Sequence, residues 1–393
     1  MSFQAAQRLR QLPNYPFVEI NATVQKLQTE GRSIIRMDMG SPDLPPPPHV
    51  IETMTQALRQ PKHGYSGYKG TAAFRQAVAR YYERLFGLKI DPETQVLPLL
   101  GSKEGLTNLA LATISRGDIV LVPAPGYPAY EMSTILAEGE VYEFPLTAQN
   151  RFLPKLEDIP SAVAKRARLL WVNYPNNPTG ALASPHDYAE WLAFCREYDI
   201  LLASDNPYLE VIFDGSAPTS ALQPVQALEH AVEFISLSKS HNMAGWRIGA
   251  CVGQAEAIAA LLKVKSNMDS GHFIPIYESA GAALDHTPPA WTAQRNETYR
   301  QRFQVVLEAL DSIGLLADSL PKGSIYLWAR VKHGDDVAYC RSALHEAGVS
   351  LTPGAVYGKA GAGYIRMSLV QPQAVLHEML ERLQTWYART QGV

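Results

Sequence analysis

The sequence predicts an α/β protein: a large domain with a mostly parallel sheet flanked by helices, joined to a smaller α+β domain. Three observations carry this. The chain has 393 residues, more than one small domain holds. From about residue 50 to 285, short apolar runs alternate with amphipathic stretches, the pattern of strands linked by crossover helices. After about 285 a long helical stretch is followed by mixed strands and helices.

In order, residues 1–45 read as an arm of short helical patterns broken by Pro13 and Pro16, expected to pack with the small domain. Pro45 to Pro48 read as a stiff extended spacer. The large domain is expected over 46–285. Within it Thr71 to Phe86 has helical periodicity, with Phe74, Val78, Tyr81, Tyr82 and Leu85 inward and Gly87 as a stop. A second helix starts at Ser184-Pro185, serine as cap and proline in the first turn. Strands are expected at Ile119–Val122, Leu169–Val172, Ile200–Ala203, Phe234–Leu237 and Ile248–Val252. The small domain, 286–393, should hold a helix from Arg295 to Ile313 and an alternating strand with Ile325 and Leu327 against Tyr326 and Trp328. A helix ending at Gly348, strands at Val349–Leu351 and Tyr364–Leu369, and a terminal helix complete it.

Composition narrows the function. The chain is 46% hydrophobic and 19% charged, enough to fill a large core. A net charge of -3 without a basic stripe argues against nucleic acid. No apolar run approaches a membrane span, and the N-terminus lacks an apolar signal core, so a cytoplasmic protein is expected. Cys195, Cys251 and Cys340 are isolated, without metal spacing, and no metal site is expected.

Four of the expected strands run into polar or turn residues: Pro125-Gly126-Tyr127, Asn176-Asn177-Pro178-Thr179-Gly180, Asp205-Asn206-Pro207-Tyr208 and Ser238-Lys239. Ligands of open α/β sheets bind outside the carboxyl ends of the strands, so these groups should share one cleft. Lys239, just past a strand, can be kept dry and become a nucleophilic amine; the alternative is a solvated lysine in an ordinary turn. Gly101-Ser102-Lys103-Glu104-Gly105 precedes a helix from Leu106 to Ile114, and a glycine-bounded turn of this kind suits a phosphate. Ser102, Lys103, Ser236 and Arg247 are its candidate ligands. Tyr127 either packs on the core or stacks on a planar ring, and Asn177 is either a turn residue or a donor to a phenolic oxygen. Asp205 either caps a helix or pairs with a cation such as a protonated pyridine, with Tyr208 beside it. Arg366 sits in an otherwise apolar strand, facing either solvent or a substrate carboxylate, which its planar fork fits. Tyr15, in Asn-Tyr-Pro-Phe, reads first as arm packing and second as a lid over substrate.

Taken together, Tyr65-x-Gly67-x-x-Gly70, Gly101-Ser-Lys-Glu-Gly105, Pro125-Gly-Tyr127, Asn177-Pro-Thr-Gly180, Asp205-x-x-Tyr208, Ser236-x-Ser-Lys239 with Arg247, and Arg366 resemble the fold type I pyridoxal-phosphate aminotransferases of class I/II, across nearly the whole chain. The resemblance implies pyridoxal 5'-phosphate as cofactor, held as a Schiff base by Lys239, which also moves the α-proton. It implies Asp205 at the pyridine nitrogen, Asn177 and Tyr208 at the ring oxygen, Tyr127 on the ring, and Ser102, Lys103, Ser236 and Arg247 at the phosphate. Arg366, assisted by backbone at Gly40, would bind the substrate α-carboxylate. Tyr65 would reach the partner's cofactor in a homodimer. The implied reaction is ping-pong transfer from an L-amino acid to a 2-oxo acid, with 2-oxoglutarate the expected acceptor.

Within the family, Lys265-Ser-Asn-Met-Asp-Ser-Gly271 and the Gly-Ser-Lys-Glu-Gly turn resemble the group containing LL-diaminopimelate, alanine and broad-range aminotransferases. The second arginine of aspartate enzymes is missing between about 265 and 280, where Asn267, Ser270 and His272 stand instead. A C–S lyase or cyclopropane-forming synthase on the same scaffold is the alternative reaction. A cofactor-sensing regulator is not expected, because the first 45 residues are too short and too little basic for a DNA-binding module, and a Rossmann dehydrogenase is disfavoured by the missing Gly-x-Gly-x-x-Gly turn after the first strand.

Overall fold

The computed structural model describes residues 3–390. In chain order the strands are β1 (Ile35–Arg36), β2 (Val96–Leu99), β3 (Ile119–Ala124), β4 (Glu140–Pro145), β5 (Ala167–Val172), β6 (Leu201–Asn206) and β7 (Ala231–Ser236). They continue with β8 (Gly249–Gly253), β9 (Leu315–Leu316), β10 (Tyr326–Val331), β11 (Val349–Ser350), β12 (Thr352–Pro353) and β13 (Tyr364–Ser368).

One seven-stranded sheet has the order β2-β8-β7-β6-β5-β3-β4. Strand β8 runs antiparallel to both β2 and β7, while β7, β6, β5, β3 and β4 are mutually parallel. Strands β3, β5, β6 and β7 therefore all end at the same edge. Their residues are buried on both faces apart from Arg168 and the half-buried Leu201, as expected for a sheet covered by helices. A four-stranded antiparallel sheet, β12-β13-β10-β9, carries Arg366. One core lies around the large sheet, with Phe74, Tyr82, Leu170 and Ile235. Another joins Met37 of the N-terminal segment to Phe303, Leu327, Met367 and Trp386.

Several local expectations are matched. The helix Ala72–Phe86 has Thr71 as its side-chain cap and ends on a left-handed Gly87. The helix Pro185–Tyr198 starts with a reciprocal capping box between Ser184 and Asp187. The arm does break at Pro13 and Pro16, between the helices Gln7–Gln11 and Pro16–Thr29, with Pro16 opening the second. Others change. Pro48 opens Pro48–Ala57 instead of ending an extended spacer. Proline fits the first helical turn, where its missing N–H is not needed. The long helix starts earlier, at Pro289, runs to Ala309 and tightens into a 3-10 turn to Ile313. The expected strand Val349–Leu351 shortens to β11, which pairs with β1, and a separate β12 after it joins the sheet of β13. Strand β10 is buried on both faces from Tyr326 to Ala329, because one face meets the second core and Trp328 joins the first.

Candidate active site

A cavity of ≈ 350 Å³ opens where the ends of β3, β5, β6 and β7 meet the arm and the small sheet. Lys239, Asp205, Tyr208, Asn177, Tyr127, Ser102, Lys103, Ser236, Arg247, Arg366, Gly40 and Tyr15 all line it. Of the residues expected at the cofactor or the α-carboxylate, Tyr65 lies away from this wall and is 90% exposed.

The strand ends build the floor. Strand β7 stops at Ser236, and the next four residues, Leu237–Ser240, form one helical turn that lifts Lys239 into the cavity. Burial, reinforced by Arg366 and Arg247, pulls the Lys239 ammonium down to about 7. A neutral amine is thus accessible near neutral pH. Its Nζ donates to the carbonyl of Gly40. A side chain on Gly40 would run into the Tyr326 hydroxyl, so glycine lets this backbone come close.

Asp205 is the next-to-last residue of β6. Burial raises its carboxyl to about 7, opposed by a hydrogen bond from Tyr130. Tyr130 donates to Oδ2 at 2.8 Å, and Oδ1 is buried without a protein partner among the described residues. Tyr130 itself stacks on Trp171, with ring centroids 5.1 Å apart. Asn173 binds the Asp205 carbonyl at 2.5 Å and accepts from the Asn177 N–H at 2.7 Å. Strand end and Asn-Pro-Thr-Gly turn are thereby fixed to each other.

The glycine turn is shorter than expected. The helix starts at Ser102, not Leu106, and runs to Thr113 with Gly101 as cap. Ser102 and Lys103 thus belong to the first turn, whose N–H groups have no partner within the helix. Gly101 is left-handed (φ 81°), and a Cβ there would strike Nη2 of Arg247. Ser236 completes the cradle from the end of β7. The Lys103 side chain turns elsewhere: its Nζ lies 3.8 Å from the Tyr15 ring centroid, with no ion-pair partner among the described residues.

Arg366 is buried (3% exposed), so the solvent-facing alternative is excluded. Its fork bonds Asn177 Oδ1 at 3.1 Å and the Asp38 carbonyl at 2.6 Å, while Nε has no partner among the described residues. Among the described residues no carboxylate pairs with it. Aromatic faces surround it instead, with Tyr326 at 4.0 Å, Tyr357 at 5.2 Å and Phe17 at 5.4 Å. The Tyr208 hydroxyl donates to Tyr326 at 3.2 Å. Tyr15 is more than arm packing: its hydroxyl lies 3.2 Å from that of Tyr127, at the cavity mouth.

This assembly has a buried amine, a carboxylate with a free oxygen, an anion cradle and a second bound cation on one wall. The profile of the family Aminotransferase class I and II matches residues 32–383. The chain belongs to the class I and II aminotransferases. It is 42% identical over 382 residues to the LL-diaminopimelate aminotransferase of Moorella thermoacetica, covering 97% of each. With that of Desulforudis audaxviator the identity is 43%, over 98% of each chain. Among solved structures, apo-BacF of Bacillus subtilis superposes with a TM-score of 0.94 at 34% identity, over 98% of this chain and 99% of that one. Thermus thermophilus aspartate aminotransferase with maleate gives 0.90 at 30% identity, over 98% and 100%. No helix of the described aminotransferase is long and apolar enough to cross a membrane.

The sequence reading missed Tyr130, Tyr326, Phe17 and Tyr357. Tyr130 had a signal, since it follows Tyr127 by three residues at a helix start and so shares its side. Tyr326 was visible only as one face of an alternating strand, and Phe17 and Tyr357 meet Arg366 only through tertiary packing.

Proposed function

We propose that this aminotransferase binds pyridoxal phosphate in the cavity and transfers an amino group from LL-diaminopimelate to a 2-oxo acid, 2-oxoglutarate being the expected acceptor. The residues fit the cofactor. The orphaned Oδ1 of Asp205 suits a protonated ring nitrogen, and the Gly101–Arg247 cradle suits a phosphate. When bound, the cofactor supplies an aldehyde carbon for the lysine amine and a ring that accepts electrons.

The chain's own groups then have distinct tasks. Lys239 Nζ, which titrates near 7 and is therefore partly neutral there, carries a proton to and from the substrate α-carbon. Asp205, whose ionised form Tyr130 favours, would hold the ring nitrogen protonated. Tyr127 would pack against the ring, and Asn177 and Tyr208, which line the same cavity, would bond its phenolic oxygen. Arg366 orients the α-carboxylate, and the arm residues Tyr15 and Phe17 exclude water from the mouth.

The observation that carries the substrate is that Arg366 and Lys103, cations lining the cavity outside the Gly101–Arg247 cradle, have no carboxylate partner among the described residues. LL-Diaminopimelate carries a carboxylate at each end, and the named relatives support it. Glutamate formation from 2-oxoglutarate with LL-diaminopimelate or alanine as donor tests this. A higher kcat/KM for the diacid is expected; an equal or lower one refutes the substrate.

We also propose a homodimer with shared sites. The exposed Tyr65 and the neighbouring His63, stacked 5.6 Å from Phe273, form a surface turn that suits contact with a second copy. The division into arm 1–45, large domain 46–285 and small domain 286–393 is proposed in the same sense, supported by the two cores.

A further inference from the structure

We infer that His272 is a positioning residue for Arg247, holding the anion cradle in shape and tying it to the Tyr65 turn; this rests on the phosphate reading above. Arg247 has a left-handed backbone (φ 57°, ψ 40°), a region that residues other than glycine seldom enter and that persists only when the surroundings enforce it. The restraint is visible. The Arg247 carbonyl lies 2.7 Å from Nε2 of His272. A carbonyl only accepts, so Nε2 carries the proton and donates.

The opposite ring nitrogen, Nδ1, is buried without a partner among the described residues. A proton there would be left unsatisfied, so His272 is the neutral Nε2–H tautomer. Burial, the largest influence, also lowers its affinity for a second proton. The ring is fixed edge-to-face on Tyr277 at 5.0 Å, and the His272 N–H donates to the Tyr277 hydroxyl at 3.3 Å. The His272 carbonyl accepts from Ser66 Oγ at 2.8 Å. Ser66 is the neighbour of Tyr65, so one histidine spans the surface turn and the cradle.

The consequence lies at the other end of Arg247. Its Nη1 donates to the Ala244 carbonyl at 2.9 Å, and Nη2 occupies the space left by the missing side chain of Gly101. Releasing the carbonyl lets this backbone relax, and the guanidinium then leaves the turn before Ser102. His272 touches neither substrate nor the reacting atoms, so it acts only through Arg247.

The test compares the affinities of pyridoxal phosphate and pyridoxal, which differ only in the phosphate, for the wild-type protein, His272→Phe and His272→Gln. Phenylalanine keeps the ring on Tyr277 and removes the donor; glutamine restores an amide N–H near the Nε2 position. The wild type should prefer pyridoxal phosphate strongly, and failure of that preference would contradict the phosphate reading itself. His272→Phe should lower the preference about tenfold, the scale of one lost hydrogen bond, with pyridoxal affinity unchanged, and His272→Gln should recover most of it. An unchanged preference in His272→Phe, or an equal loss for both ligands, overturns the inference. On the wild-type protein, imidazole 15N shifts of selectively labelled histidine should report the Nε2–H tautomer; an Nδ1–H tautomer also overturns it, whatever the variants do.

Discussion

Tyr130 donates to one oxygen of the Asp205 carboxylate at 2.8 Å and leaves the other oxygen pointing at no protein group among those described. The pair divides the work. Tyr130 orients the carboxylate and favours its ionised form against a burial that raises it to about 7. The free oxygen is left for a cation.

Tyr130→Phe should keep the fold and the stack on Trp171 but remove that support. The Asp205 carboxyl then rises further, and more base is needed to ionise it. The acidic limb of kcat/KM should shift to higher pH, with kcat falling about tenfold. A pH–rate profile with an unmoved acidic limb would count against the division of roles.

Lys239 predicts a pH dependence of its own. Its affinity for a proton is lowered by burial first and by Arg366 and Arg247 second, to about 7. Capture of pyridoxal phosphate by the cofactor-free protein requires the neutral amine. The rate should climb about tenfold per pH unit below 7 and level off above it. Stopped-flow absorbance checks this; a rate still rising near pH 10 would mean the lysine is solvated.

Arg366→Lys keeps a charge but loses the planar fork that spans Asn177 and the Asp38 carbonyl. The KM for the amino donor should rise roughly 100-fold while cofactor stoichiometry stays at one per chain. Loss of the cofactor instead would place Arg366 at the wrong ligand.

Lys103→Met separates the two anionic ends of the substrate. It should raise the KM for LL-diaminopimelate about tenfold and leave that for alanine unchanged. An equal change for both donors would return the Lys103 side chain to the phosphate.

What was readable in the sequence was whatever backbone direction decides. Strand ends followed by Tyr127, Asn177, Asp205 and Lys239 converge because parallel strands finish on one edge, and alternation of apolar runs with helices already implies that. Helix starts at Thr71 and Ser184 were readable because capping is local. The spacer at Pro45 to Pro48 was misread because a proline such as Pro48 is as good a helix opener as a break. The burial of Arg366 was left open because its partners, the Asp38 carbonyl, Asn177 and three aromatic rings, lie up to hundreds of residues away in sequence. The direction of the Lys103 side chain was not readable for the same reason, since only the fold brings Tyr15 beneath it. His272 looked like a substitute for a missing arginine, and only the fold turns its ring toward the Arg247 carbonyl.

The central claim is that Lys239 and the groups around it move an amino group onto a bound cofactor and off again. It is tested most directly by the visible absorbance of the cofactor-loaded protein, recorded after LL-diaminopimelate is added without any acceptor and again after 2-oxoglutarate. The account predicts that the long-wavelength band bleaches, one equivalent of oxo product appears per site, and the band returns with the oxo acid. In Lys239→Ala the band should not respond. A wild-type band that stays unchanged, or bleaches with release of ammonia, would contradict it.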